Sequence, residues 1–91
     1  VLWGGILMGR LVTTEGEEKV ITPDNGEVFT LKELQTHVGG WIEVVPQRVH
    51  PDKVYLCDEE GILKSKDINF TVTEIIDYPV VGDILIISHE E

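Results

Sequence analysis

Trp41, Arg48, His50 and Tyr55 bring together, within one stretch of chain, the residue types that recognise a nucleotide-like ligand. Aromatic rings stack on bases, and an arginine guanidinium pairs with phosphate or carboxylate through two parallel hydrogen bonds. A loop that sets Arg48 and His50 beside the two aromatics could clasp such a ligand. In the plainer alternative, Trp41 and Tyr55 are half-buried sheet residues and Arg48 is a loop charge. That arrangement is the commoner one, because aromatic residues usually supply core area.

The other reactive residue types form no recognisable set. Cys57 as a nucleophile needs a base such as His37 or His50 and a depressed pKa, and no local motif provides them. His37, His50, His89 and Cys57 lack the paired spacing of two to five residues that marks zinc ligands. Asp58, Glu59 and Glu60 read as the solvated tip of a turn rather than a cation site, and Glu15, Glu17 and Glu18 read the same way. Gly39-Gly40 follows a helix instead of opening one, so it is a helix stop and not a phosphate loop. The expectation is a protein that is not a classical enzyme and carries no metal or other cofactor.

The elements that hold the aromatic-basic stretch are legible from spacing. Thr30 followed by Glu33 is a capping box, in which hydroxyl and carboxylate each accept an otherwise orphaned backbone N–H. Phe29 and Leu34 occupy the two positions of a hydrophobic staple, and Leu31, Leu34 and Val38 make one apolar stripe. A helix over 31–38 follows. Strands are expected at Arg10–Thr13 and Lys19–Thr22, turning at Gly16, with a further turn at Pro23-Asp24-Asn25-Gly26. Trp41–Val45 is a strand stopped by Pro46, residues 47–52 are a loop, and Lys53–Cys57 is a strand. In that last strand Val54 and Leu56 lie on one face, Tyr55 and Cys57 on the other. Asp58–Gly61 fits a type I turn with a glycine bulge leading into Ile62-Leu63-Lys64. Residues 69–77 are open between a helix capped by Asn69 and a strand favoured by Phe70, Thr71, Val72 and Thr73. The run Pro79–Ile87 is a buried strand entered through Gly82-Asp83. The fold class is α+β: a small, mostly antiparallel sheet or partial barrel with one or two short helices.

Composition bounds the function. Seven Lys and Arg against 17 Asp and Glu give a net charge of −10. Direct binding to nucleic acid or to an anionic membrane needs a basic face and is not expected. A solvated acidic surface, a basic protein partner or imitation of DNA's charge remains. A lone cysteine forms no intramolecular disulfide, which points to the cytoplasm. The apolar opening Val1–Met8 lacks a basic leader and is too short for a membrane span. Met8-Gly9-Arg10-Leu11 resembles a natural beginning, so residues 1–7 read as an N-terminal extension ahead of a single domain over 8–91, or, if native to the fold, as an addition to a strand edge or an oligomer contact. A domain of 91 residues buries only about 60–65% of its unfolded surface, which favours association with further copies.

Phe29–Gln35 with Val38–Val45, then Cys57–Gly61 before Leu63-Lys64, Asn69, and Val81–Leu85 resemble a small family of bacterial and phage domains of unknown function. Members are found on phages, plasmids and other mobile elements. The resemblance spans roughly residues 10–87. It departs at Val72 and Thr73, which weaken a helical stretch the family opens with Asn, and at residues 1–7, which have no counterpart. It implies a fold and a mobile-element context, and supplies no catalytic residues.

Together these features lead to one expectation. The protein is a small binding protein of a phage or mobile element, a homo-oligomer that sequesters a nucleotide-derived host defence signal. The alternative is an acidic interaction module or DNA mimic that inhibits a host enzyme.

Overall fold

The structure, a computed structural model, describes residues 6–90. Its elements run β1 (Ile6–Val12), β2 (Glu18–Ile21), α1 (Leu31–Val38), β3 (Ile42–Val44), β4 (Val54–Asp58), α2 (Phe70–Ile76) and β5 (Ile84–Glu90). The five strands form one open antiparallel sheet in the spatial order β2, β1, β5, β4, β3. Of the two sheet forms expected, the open sheet is the one formed. β1 begins inside the stretch read as an extension, since Ile6 and Leu7 pair with Glu90 and His89, while residues 1–5 lie outside the described residues.

Alternation along the strands divides the core in two. Val12, Tyr55, Ile84 and Ile86 face α2 and bury against its Val72 and Ile76. Leu56, Leu85 and Ile87 face the other way, against Val38 of α1, with Leu11, Leu34, Phe29 and Val54 packed around them. One helix therefore covers each face of the sheet. Strand β5 is central and buried on both faces, which is why its sequence reads as a continuous apolar run.

The helix boundaries follow from capping. Thr30 Oγ1 accepts from Glu33 N–H at 3.2 Å, and Glu33 Oε1 accepts from Thr30 N–H at 2.9 Å. The other carboxylate oxygen of Glu33 accepts from Asp24 N–H at 2.9 Å, tying the preceding turn to the helix. These backbone donors on Thr30 and Asp24 hold the Glu33 carboxyl below its ordinary pKa. Gly39 ends α1 in the left-handed region at φ 86°, a conformation that costs a side-chain-bearing residue more than glycine. Leu31 was expected on the buried stripe but is 55% exposed; only Leu34 and Val38 of the three turn inward.

At 69–77 the helix forms. Asn69 is fully buried, and its Oδ1 accepts from Val72 N–H at 3.1 Å while its Nδ2 donates to Val12 O at 2.9 Å and Gly82 O at 3.0 Å. One amide thus joins the first strand, the start of α2 and the entry to β5. That satisfied buried network outweighs the β-propensity of Val72 and Thr73, worth only a few tenths of a kcal/mol each.

The turn expected at Asp58–Gly61 forms, with Gly61 N–H on Asp58 O, and the chain continues in turns, with Lys64 N–H on Glu60 O and Ser65 N–H on Ile62 O. One expectation about this segment is overturned. Asp58 is not a solvated tip: its side chain is 1% exposed and its Oδ2 lies 2.8 Å from both Lys64 Nζ and Lys66 Nζ. Those ammonium groups also donate to Gly39 O at 3.2 Å and Val38 O at 2.9 Å, closing the end of α1. Burial pushes the Asp58 carboxyl up, but the two lysines and Glu60 N–H outweigh it and hold it far below the usual range. A Cβ at Gly40 would stand 2.7 Å from Lys64 Nζ and 2.8 Å from Asp58 Oδ1, so this cluster requires the glycine.

Candidate ligand-binding site

Helix α2 covers only part of its face of the sheet, and beyond it lies a cleft of about 330 Å³. Its floor follows from register. Arg10 pairs with Ile86 and Ile86 with Tyr55, so these three side chains form one row across β1, β5 and β4. Met8 and Ser88 form the next row. Ile75 of α2, Glu18 of β2, and His50 and Lys53 from the loop before β4 supply the walls.

Gln47 shapes that loop. Its Nε2 donates to His50 O at 2.8 Å and to Lys53 O at 3.3 Å, while its Oε1 accepts from His50 N–H at 2.8 Å. Lys53 N–H closes the turn on His50 O at 3.0 Å. The imidazole is thereby set against Tyr55, with Nδ1 2.9 Å from the phenol oxygen and the ring planes 9° apart. Burial pushes the Tyr55 phenol above its ordinary pKa against the opposing pull of Arg10, so the hydroxyl is intact at neutral pH. With Nδ1 engaged, His50 has its other ring nitrogen as the remaining polar contact.

The electrostatics of the cleft differ from those of the whole chain. Arg10 and Lys53 both line it, and among the described residues Arg10 is paired with Glu18 alone, with Nε 3.5 Å from the carboxylate and both side chains more than half exposed. Such an exposed pair contributes roughly 0–1 kcal/mol, so the guanidinium exchanges partners at little cost. The arrangement is suited to holding an anion against a half-apolar floor by charge and hydrogen bonds.

Of the four residues singled out by sequence, the structure brings His50 and Tyr55 together in this cleft. Arg48 is exposed on the same loop but is not among the residues lining it. Arg10 and Lys53 hold the positions that Arg48 was expected to fill. Trp41 lies elsewhere: its carbonyl accepts from Glu59 N–H at 2.7 Å, at the opposite end of the β3–β4 pair from the Val45 N–H to Tyr55 O bond. The residue is 63% exposed. Arg10 was missed because it sits far from His50 in sequence; only the β1–β5–β4 order makes them neighbours.

Cys57 is half-buried, and burial, with Glu43 and Asp58 nearby, pushes its thiol pKa up, away from the thiolate a nucleophile needs. Among the described residues no group of three or more His, Cys, Asp and Glu is placed to hold a metal ion, and no helix is long and apolar enough to cross a membrane.

Comparison with curated proteins and with solved structures returns no match. The family model for the domain of unknown function DUF3846 matches residues 8–91, and the chain belongs to that family.

Proposed function

We propose that this DUF3846 member is a non-catalytic binding protein that sequesters an anionic, nucleotide-like small molecule in the cleft beside His50 and Tyr55. One observation carries the reading. In a chain of net charge −10, Arg10, Lys53 and His50 line the same small cleft around a buried tyrosine hydroxyl. Local charge is what matters, because salt confines surface fields to about 8 Å at physiological ionic strength. The volume lies at the lower end of ligand sites, roughly 300–1,000 Å³, which suits a mononucleotide-sized group. Met8, Val12, Ile75 and Ile86 offer apolar contact to a base or sugar face, and Ser88 and Glu18 offer acceptors to its hydroxyls. On a phage or mobile element, a homo-oligomer of such domains would withdraw a nucleotide-derived defence signal from the host cytoplasm.

The test is calorimetric titration of ADP-ribose, a cyclic dinucleotide and AMP into wild type, Arg10→Ala, Lys53→Ala and Arg48→Ala. Loss of a charge-assisted contact weakens binding by about ten- to a hundredfold, or ~1.5–3 kcal/mol. The first two variants lose that much and Arg48→Ala binds as wild type. Equal binding by all four proteins rejects this site.

A second reading, an acidic interaction module or charge mimic of DNA that inhibits a host enzyme, is favoured by the use of Lys64 and Lys66. Both are spent on the buried Asp58, which leaves the outer surface more acidic than the composition suggests. Failure of every ligand above to bind wild type moves this reading to first place.

A further inference from the structure

The sheet ends at β3, and the two hydrogen bonds flanking that strand show which of its backbone groups are spoken for. Val45 N–H donates to Tyr55 O and Trp41 O accepts from Glu59 N–H, so the odd-numbered residues point their backbone at β4. Register agrees, with Glu43 opposite Cys57. In an antiparallel ladder the alternate residues then point the other way. The N–H and C=O of Ile42 and Val44 therefore face outward, where no further strand pairs with them among the described residues.

Of the side chains along this edge, Ile42 packs against the core beneath α1, and the others stand free of it. Val44 is 60% exposed on the α1 face of the sheet, and Trp41 and Glu43 are exposed on the α2 face. Beside Glu43, on that same face, is a second cleft of about 130 Å³, bounded by Glu43, Glu59, Cys57, Ile62, Tyr78 and Pro79. Its walls are aliphatic and aromatic. Its charged rim is acidic, since Glu43 and Glu59 are exposed while Asp58 already has both of its lysines. Neither Lys64 nor Lys66 lines it.

We infer that the β3 edge is a docking site for an extended basic peptide segment of another protein, which adds a sixth strand through Ile42 and Val44 and sends a Lys or Arg side chain into the cleft beside Glu43. The chemistry selects that occupant. A residue opposite Glu43 on an added strand has its Cβ about 4.5–5.5 Å away, on the same face as the cleft. A lysine or arginine there lays its apolar stem along Ile62 and Tyr78 and its charge at Glu43 and Glu59. The next residue on that face of the added strand meets Trp41, whose exposed ring accepts a cation on its face. A second copy of this chain is the poorer occupant, because antiparallel pairing centred on β3 sets Glu43 against Glu43, a destabilising like-charge pair. This site lies at the β3 edge, with β5 and β4 between it and Arg10 on β1, and stands whether or not the first cleft binds a nucleotide.

Amide hydrogen exchange tests it on the full chain, using a synthetic eight-residue peptide of alternating Thr and Lys and the matching peptide of alternating Thr and Glu. With the lysine peptide, the Ile42 and Val44 amides gain at least tenfold protection, and the gain falls with added salt. Glu43→Lys abolishes it. Val44→Pro removes one outward N–H without touching a β4 bond and reduces binding at least tenfold, and an unchanged exchange pattern elsewhere shows that the variant is folded. Three results overturn the proposal: no protection at millimolar lysine peptide, equal protection by the glutamate peptide, or protection that rises with protein concentration alone, which assigns the edge to a second copy.

Discussion

Replacing Asp58 by Asn removes the negative charge that two lysines share while leaving the volume and the Oδ1 acceptor for Glu60 N–H, which is bonded at 2.9 Å. Each charge-assisted hydrogen bond contributes about 1.5–3 kcal/mol when the charged group is kept from water. Lys64 and Lys66 are 41% and 24% exposed, so both recover hydration on losing their partner and the lower bound applies to each. The expected loss is therefore about 3 kcal/mol, within the roughly 3–5 kcal/mol seen when one member of a buried pair is removed. Against a total stability of about 5–15 kcal/mol that is a large fraction. The pH dependence has a definite sign. Asp58 is held below its ordinary pKa when folded, so its stabilising contribution is complete above the unfolded value, about 4, and is lost as pH falls toward the folded one. Urea denaturation of wild type and Asp58→Asn checks both parts: the gap is about 3 kcal/mol at pH 7 and narrows below pH ~4. A gap under about 1 kcal/mol at pH 7, or one unchanged at pH 3, refutes the reasoning.

Thr30→Ala costs about 1 kcal/mol in urea denaturation, since Glu33 N–H loses its acceptor. Asn69→Ala costs about 3 kcal/mol by the same assay, because Val12 O, Gly82 O and Val72 N–H are left unpaired in the core. Leu85→Ala, at the most buried point of β5, costs about 2–5 kcal/mol with an unchanged circular dichroism spectrum. Leu63 is 82% exposed, and sedimentation of the 10.2 kDa chain is expected to give a closed oligomer that Leu63→Ser weakens.

What could be read before the structure was local chemistry. The Thr30–Glu33 box, the Gly39 stop, the β1–β2 hairpin and the face alternation of Val54, Tyr55, Leu56 and Cys57 all depend on neighbours within a few residues, and all are present. Asn69 was undecided because the deciding partners, Val12 and Gly82, are distant in sequence. Asp58 was misjudged for the same reason: one acid among three looks solvated until Lys64 and Lys66 fold back over it. Half of the aromatic-basic cluster, His50 with Tyr55, was readable because the intervening loop is short. The basic groups that complete the cleft were not, since Arg10 reaches Tyr55 only across the central strand β5.

The central claim is that the Arg10–Lys53–His50–Tyr55 cleft binds an anionic nucleotide-like molecule. A titration of isotope-labelled protein with ADP-ribose, followed by amide and side-chain NMR shifts, tests it most directly. The account predicts saturable shifts at Arg10, His50, Lys53, Tyr55 and Ser88, with α1 and β3 silent. Shifts confined to the open groove of Asp24, Lys32, Glu33 and His37 along α1, or none at millimolar ligand, contradict it.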